Sequence, residues 1–145
     1  MIYRINEFQF TLPDTDDVQD ASINIVKFAS LGTSLVISRS LLAEDETLQS
    51  NFDAQLARLE QQVKALSHQP AQRVLVGVDQ TLEGIELRSQ FSKGTENVYQ
   101  YQLALLLPGT RKMIALSYVK AQPLGEAETT HWTTIKHSLH FDRLA

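Results

Sequence analysis

The sequence predicts an α+β fold, in which an antiparallel sheet of about six to seven strands carries one long helix and one shorter C-terminal helix on one face. Three observations lead to this prediction. One segment in the middle of the chain has apolar residues at helical spacing. Four later segments resemble strands and are separated by glycine or proline turns. The strands follow one another instead of alternating with helices, which is typical of an α+β domain.

Length and composition limit the class of protein. The chain has 145 residues, of which 43% are hydrophobic and 21% charged, as expected for one globular domain spanning residues 1–145. Its net charge of −4 argues against a nucleic-acid partner. The longest apolar run is five residues, whereas a membrane-spanning helix needs about 20. With no cysteine and no signal-peptide core at the N-terminus, we expect a cytoplasmic protein without membrane insertion.

The N-terminal third predicts strands and a hairpin. Residues 2–12 have the pattern of a broken strand, and the polar cluster at 13–17 predicts a turn. Residues 22–28 are rich in β-branched side chains, and residues 33–42 have the pattern of a returning strand. The four residues 29–32 fit a hairpin loop between these two strands.

The long helix is predicted over residues 47–67. Its apolar residues recur at intervals of three or four and form one stripe, typical of core packing: Leu48, Phe52, Leu56, Leu59, Val63 and Leu66. Asp45 or Thr47 can cap the first turn, and Pro70 closes the segment.

The remaining chain predicts a meander followed by the second helix. Strands are expected at residues 73–81, 85–92, 97–107 and 112–121, with turns between them. The last helix is expected over residues 126–141, where Trp132, Ile135 and Leu139 have helical spacing. A single tryptophan in such a stripe is typical of a core residue.

We find no motif for catalysis or for a cofactor. The glycines are scattered singly, so there is no phosphate-binding loop, and no serine lies in a nucleophile elbow. His131, His137 and His140 fall on the last predicted helix, but a metal site would need a ligand from another element. The acidic clusters fall in a turn and at a helix start, where they have structural explanations. The sequence therefore predicts a protein that is not an enzyme, with no metal and no cofactor.

Several strands have uncharged side chains on both faces, although a sheet with one solvent-exposed face would be expected to carry charged residues on that face. Antiparallel strands with one solvated face normally alternate apolar and polar residues. In residues 99–107, one parity is aromatic or aliphatic, and the other, which includes Gln100, Gln102 and Ala104, is uncharged. In residues 112–120, the second parity of Met113, Ala115, Ser117 and Val119 is uncharged as well.

The predicted hairpin places further uncharged residues on one face. With a loop at 29–32, Ile25 pairs with Val36, so that Ile23, Ile25, Val36 and Ser38 share one face. A loop longer or shorter by one residue would exchange the faces of the second strand. We expect the bulkier faces to pack under the helices. The uncharged second face fits either recognition of an apolar partner or burial under loops or a second subunit.

Two segments resemble a known family. Residues 19–27 (QDASINIVK) and 35–39 (LVISR) are similar to the Eag chaperones of type VI secretion, which belong to the DcrB-related group with a Mog1/PsbP-like fold. The opening residues 2–5 (IYRI) and Pro13 are also similar. The length and the order of elements fit along the whole chain, whereas the second half matches only in pattern.

The resemblance implies a chaperone without catalysis or cofactor. Eag chaperones bind the N-terminal transmembrane segments of PAAR- or Rhs-containing effectors and keep them soluble in the cytoplasm until loading on the VgrG spike. They are typically homodimers whose sheets form an apolar groove. By this resemblance Ile23, Ile25, Val36 and Ser38 would line the groove. Gln102 would hydrogen-bond the guest, with Gln100 and Ala104 on the same parity.

Two other functions stay open at the level of sequence. The second face could be the permanent interface of a structural or assembly subunit. The domain could also bind a small molecule or act as an enzyme, with His131, His137 or His140 in a pocket.

Overall fold

The computed structural model describes residues 1–14 and 18–141, and these residues form a seven-stranded antiparallel sheet, a separate two-stranded hairpin and two helices. The predicted α+β class is confirmed. The strands are β1 (Ile2–Arg4), β2 (Gln9–Thr11), β3 (Asn24–Phe28), β4 (Thr33–Leu41), β5 (Lys64–His68), β6 (Gln72–Val76), β7 (Leu82–Lys93), β8 (Glu96–Leu106) and β9 (Lys112–Lys120). The helices are α1 (Leu48–Gln62) and α2 (Glu126–Ser138). The predicted turn at 13–17 lies partly outside the described residues.

Strand pairing follows the predicted hairpin and meander. The large sheet has the order β3-β4-β9-β8-β7-β5, with β6 also paired to β7. Strands β6, β7, β8 and β9 pair consecutively and antiparallel, which confirms the meander. In the first hairpin Ile25 lies opposite Val36 and Val26 opposite Leu35, so the predicted register is also confirmed.

Helix α1 begins at the predicted cap residue Thr47, but it ends before the predicted apolar stripe does. The Thr47 hydroxyl accepts from the Ser50 amide, and the Ser50 hydroxyl accepts from the Thr47 amide, which forms a capping box. The prediction of helix up to residue 67 is wrong, because the helix stops at Gln62 and residues 64–68 form β5. Ala65 has φ +55° at an irregularity in this strand.

Backbone hydrogen bonding at the edge of the sheet explains why α1 ends early. Strand β6 pairs with β7 only between Leu82 and Glu86, whereas β7 continues to Lys93. The later backbone groups of β7 therefore need another partner. Strand β5 supplies it by pairing with Ser89, Gln90 and Ser92.

The sheet has two faces, which we name after the helix that packs on each. On the α2 face, Trp132 is 1% exposed and stacks parallel to Tyr101, with ring centroids 5.7 Å apart. The prediction of Trp132 as a core residue is confirmed. Around these rings the core contains Leu103, Leu105, Leu116 and Tyr118.

Helix α1 lies on the opposite face. Its buried Phe52 packs against Ile85, Leu87 and Ala104. Ala104 falls between Leu103 and Leu105 on β8, so it points to the other side of the sheet. The expectation that both helices pack on one face is therefore wrong. Each helix covers a different apolar surface of the sheet: α2 packs on the aromatic and aliphatic side of β8, and α1 packs on Ile85 and Leu87 of β7 together with Ala104.

Candidate functional site

The α1 face is covered by the helix at only one end of the sheet. A cross-strand row runs from Ile25 through Val36, Ser117 and Gln102 to Leu87. Residues paired directly across antiparallel strands point to the same face. Leu87 is 1% exposed beneath α1, whereas Ile25, at the other end of the row, is 61% exposed.

We name the part of this face that α1 leaves open the uncovered surface. Its members lie on β3, β4 and β9, are partly or largely exposed, and are small or apolar: Ile25, Val36, Ser38, Ala115, Ser117 and Val119. Among the α1-face positions of these three strands only Lys27 is charged. A surface of this composition suits an apolar partner, with hydroxyl groups for occasional polar contacts.

Residues 20–24 and the Arg39 side chain fix the position of one end of the uncovered surface. Ile23 lies just before β3 and is 62% exposed. The Arg39 guanidinium donates to the Ser22 carbonyl at 3.1 Å and to the Asn24 amide oxygen at 2.7 Å. The hydrogen bond from the Ser22 amide holds the pKa of Asp20 below its usual value. The backbone on both sides of Ile23 is therefore held in place, while its side chain faces solvent.

Two predicted site residues do not belong to the uncovered surface. Gln100 is 6% exposed, and its side-chain amide donates to the Ser89 hydroxyl at 3.3 Å. Ala104 is 5% exposed and packs in the cluster that contains Phe52. Their place among the groove residues is a wrong prediction, because it assumed that no helix covers this end of the α1 face.

Gln102 lies at the border between the covered and the uncovered parts. It is partly exposed and lines a recess of about 170 Å³ together with α1 residues Gln55, Leu56, Leu59 and Gln62. The recess is a corner in which the helix meets the sheet. The amide of Gln102 therefore lies at the edge of the uncovered surface, beside α1.

Sequence reasoning missed the contribution of α1 to this site. Leu56 and Leu59 are only partly buried and form the wall of the recess. Their helical stripe predicts core packing, and nothing in the spacing distinguishes core residues from those at a border. Ser117 and Val119 of β9 were detectable through the uncharged parity of their strand.

The N-terminal hairpin is a second exposed apolar surface. Ile2, Phe8 and Phe10 are 66%, 60% and 43% exposed, and the Tyr3 and Phe10 rings lie 5.4 Å apart. A cavity of about 510 Å³ lies between this hairpin and residues 18–22, which lead into β3. Residues 18–22 are thus followed by the exposed Ile23 and Ile25, and the exposed apolar side chains of the N-terminal hairpin precede them.

A larger cavity of about 850 Å³ lies at the start of α1, and its charged groups are already paired. Arg111 donates to the backbone carbonyls of Leu42, Ala43 and Glu46. Arg73 lies 3.8 Å from the Glu83 carboxylate. The contacts of Arg111 hold the segment before α1 against the β8–β9 turn, and the cavity is lined mainly by apolar atoms.

The histidines do not form a cluster. His131 Nδ1 lies 2.8 Å from the Tyr118 hydroxyl, whose pKa is raised by burial, and the His131 ring meets the Phe28 ring edge-on at 4.5 Å between centroids. His137 and His140 are exposed. Within residues 1–14 and 18–141, no group of three or more histidine, aspartate or glutamate side chains is placed to hold a metal ion.

In the described part of the chain, neither helix is long and apolar enough to cross a bilayer.

Known families and structures provide an independent comparison. The family profile described as DcrB matches residues 7–138. The crystal structure of a protein of unknown function from Pseudomonas aeruginosa matches 99% of this chain and 98% of that chain, with a TM-score of 0.75 and 20% identity. At this identity the similarity establishes the fold alone. No curated protein matches the sequence.

Proposed function

Because this chain belongs to the DcrB family, we propose that its uncovered surface binds apolar helices, and that the protein is a type VI secretion chaperone. Its guest is the N-terminal transmembrane segment of a PAAR- or Rhs-type effector. The resemblance of residues 19–27 and 35–39 to Eag chaperones supports this finer assignment within the family. The chaperone works in the cytoplasm as a homodimer, without catalysis or cofactor, and releases its guest when the effector is loaded on the VgrG spike.

The exposure of Ile25 is the observation that carries the proposal. Ile25 and Ile23 are 61% and 62% exposed although they lie in or beside a strand of the main sheet. Full burial of an isoleucine side chain is worth about 1.5–3 kcal/mol, so each leaves more than half of this energy unused in the isolated chain. A partner that covers both recovers it.

The dimensions of the uncovered surface suit one helix. Three adjacent strands span about 14 Å at a spacing of about 4.8 Å, and a helix with its side chains is about 10–12 Å wide. Helix α1 lies along one border of the uncovered surface, where Leu56 and Leu59 contribute apolar atoms. A guest helix on the uncovered surface therefore also contacts the side of α1.

The polar groups of the surface fit the backbone and occasional polar residues of a transmembrane helix. Ser38, Ser117 and Gln102 are partly exposed on the same face. An unpaired polar group buried at an interface costs about 1–3 kcal/mol, so hydroxyl and amide partners keep the interface tolerant of such residues. Charged side chains in the middle of the uncovered surface would instead lose their hydration when the guest binds, which would weaken binding.

A second candidate function is a structural or assembly subunit that uses the same face as a permanent interface. It is favoured by the exposed apolar residues on both sides of β3, Ile25 at 61% and Val26 at 44%. Light scattering of the purified protein over a range of concentrations, together with the solvent accessibility of Ile25 in the assembly, separates the two functions. A stable assembly in which Ile25 is inaccessible to solvent supports the subunit and contradicts the chaperone.

Binding of a defined apolar helix tests the proposal directly. The probe is a labelled peptide of about 20 leucine and alanine residues, the length of one transmembrane helix, with lysines at its ends. We expect the wild-type protein to raise the anisotropy of the label and to suppress light scattering by peptide aggregates. Ile25→Asp should weaken binding at least about 100-fold, since it removes apolar contact and buries an unpaired carboxylate.

Val78→Asp is the matched control. Val78 is 60% exposed, close to the exposure of Ile25, but it lies in the turn that follows β6. Both variants should keep the circular dichroism spectrum of the wild type, because each position is mostly in water. Equal binding by Ile25→Asp and Val78→Asp would place the guest elsewhere and contradict the proposal.

A further inference from the structure

A small polar recess lies on the α2 face, where β5, β7 and β8 meet the segment that precedes α2. Its volume is about 180 Å³, which corresponds to about six groups of the size of a water molecule. Ser67 and Tyr99 both lie opposite Gln90, so these three residues form one row across the sheet. Leu124, which is 6% exposed, lines the recess at the start of α2.

The Arg88 guanidinium supplies a positive charge to this recess. Arg88 lies two residues before Gln90 on β7 and therefore points to the same face. Its Nη2 donates to the Leu124 carbonyl at 2.9 Å, and its Cζ lies 5.3 Å from the centre of the Tyr101 ring. These two contacts orient the planar group, although Arg88 as a residue is exposed. A guanidinium has five N–H donors, so most of them stay available to a ligand.

No carboxylate in the described part of the chain neutralises Arg88. None forms an ion pair with its guanidinium within 4.0 Å. Glu86, which lies on the same face of β7, accepts from Trp132 and pairs with Lys136. Among the described residues that line the recess, there is no aspartate or glutamate. An oriented guanidinium without a counter-ion is suited to bind an anion.

His68 also lines the recess, but its ring is engaged elsewhere. Its Nδ1 donates to the Gln69 carbonyl at 2.9 Å, and its Nε2 lies 4.0 Å from the Glu60 carboxylate of α1. The imidazole therefore faces the helix on the other side of the sheet. Arg88 is the cation that serves the recess.

We propose that this recess binds a small monocarboxylate. A planar carboxylate accepts two parallel hydrogen bonds from a guanidinium, which adds geometric specificity to the ion pair. The Gln90 amide and the hydroxyls of Ser67 and Tyr99 provide hydrogen-bonding groups for a hydroxyl or amide group of the same ligand. One guanidinium neutralises one negative charge, so a dicarboxylate would bring an unpaired charge into the recess.

Two sources of the carboxylate match these dimensions. A free hydroxy acid such as lactate has about six non-hydrogen atoms, the number of water-sized groups that the recess holds. The C-terminal carboxylate of a polypeptide presents the same group to Arg88, with an amide beside it. The recess lies on the α2 face, away from the uncovered surface, so this inference does not depend on the proposed function.

Titration of isotope-labelled protein with lactate, followed by NMR, tests the site. The Nε–H signal of Arg88 and the backbone amide signals of Ser89 and Gln90 should shift and reach saturation. Lactamide, which has nearly the same shape but no charge, should not shift them. Sodium chloride at the same ionic strength should not shift them either. The proposal is overturned if lactamide or chloride saturates the same signals with an affinity equal to that of lactate.

Substitutions of Arg88 separate the geometry of the guanidinium from its charge. Arg88→Met should weaken lactate binding at least about 10-fold, because a hydrogen bond to a charged group is worth that factor or more. Arg88→Lys keeps the charge and should still bind more weakly than wild type, because an ammonium cannot form the bidentate contact. Arg58→Met removes a positive charge from an exposed position on α1 and is the matched control. Equal affinities of Arg88→Met and Arg58→Met would overturn the proposal.

Gln90→Glu tests the site without removing a contact of Arg88. Gln90 is exposed, so the variant should keep the circular dichroism spectrum of the wild type. Its carboxylate competes for Arg88 and should weaken lactate binding at least about 10-fold. An unchanged affinity contradicts the site. N-acetylglycine, which resembles a polypeptide C-terminus, distinguishes the two sources: binding tighter than that of lactate assigns the site to a polypeptide, and weaker binding assigns it to a free hydroxy acid.

Discussion

The carboxylate of Glu86 makes two of the polar contacts that join α2 to the sheet, which makes Glu86→Ala a sharp test of the core. Glu86 Oε2 accepts from the Trp132 indole N–H at 2.9 Å and forms an ion pair with the Lys136 ammonium. The side chains of Lys136 and Glu86 are only 13% and 18% exposed, and Trp132 is 1% exposed. Removing the carboxylate leaves two donors without their acceptor.

The expected cost follows from this burial. Breaking a buried ion pair by removing one partner costs about 3–5 kcal/mol, and the unsatisfied indole N–H contributes about 1–3 kcal/mol within that range. We therefore expect Glu86→Ala to lower the free energy of unfolding by about 3–5 kcal/mol. In a chain of this size that corresponds to a decrease in Tm of about 6–20 °C.

Glu83 on the same strand provides the control. Its carboxylate lies 3.8 Å from Arg73, and both side chains are more than 70% exposed, at 71% and 72%. Exposed pairs are worth about 0–1 kcal/mol. Glu83→Ala should therefore change the free energy of unfolding by less than about 1 kcal/mol.

Denaturant unfolding measures both variants. The fluorescence of Trp132, the only tryptophan, reports on α2, and circular dichroism reports on the sheet. The double variant Glu86→Leu/Lys136→Met should recover the part of the loss that comes from the unpaired ammonium, because an apolar pair leaves no buried charge, whereas the Trp132 indole N–H still lacks its acceptor. Equal losses in Glu86→Ala and Glu83→Ala would refute the reasoning.

Two further predictions concern α1 and α2. Thr47→Ala removes the side-chain acceptor of the capping box with Ser50 and should cost about 1 kcal/mol in denaturant unfolding; an unchanged midpoint would show that the cap is not needed. The hydrogen bond from Lys120 holds the pKa of Glu128 below its ordinary value of 4.5. The stabilisation is complete above that value and is lost as the pH falls below it. In Tm measurements against pH, Glu128→Gln should lose less stability on acidification than wild type, and parallel curves would contradict this.

The local pattern was sufficient for the first hairpin and the meander. Turn residues at 29–32 and an alternation of period two set both the pairing and the register, and Ile25 lies opposite Val36 as predicted. Both features depend on residues close together in the chain. The exposure of Ile23 and Ile25 agrees with a face left uncovered at this end of the sheet.

The end of α1 and the composition of the site depended on distant partners. Residues 64–68 continue the helical stripe, yet they form β5 because the outer edge of β7 needed hydrogen bonds. Gln100 and Ala104 have the same uncharged parity as Gln102, yet they are buried at the covered end of the α1 face. The alternation of side chains along a strand predicts which residues share a face of the sheet. Which of those residues are exposed to solvent depends on where α1 packs.

The class of fold, the strand pairs and the presence of two amphipathic helices could be predicted, because they follow from turn chemistry and from side-chain periodicity. The packing of α1 and α2 on opposite faces of the sheet is visible only in the folded chain. An apolar stripe states that a helix must bury one side, but it does not state against which surface. Helix α1 packs on Ile85, Leu87 and Ala104, and its position there leaves the uncovered surface of β3, β4 and β9 partly open to solvent.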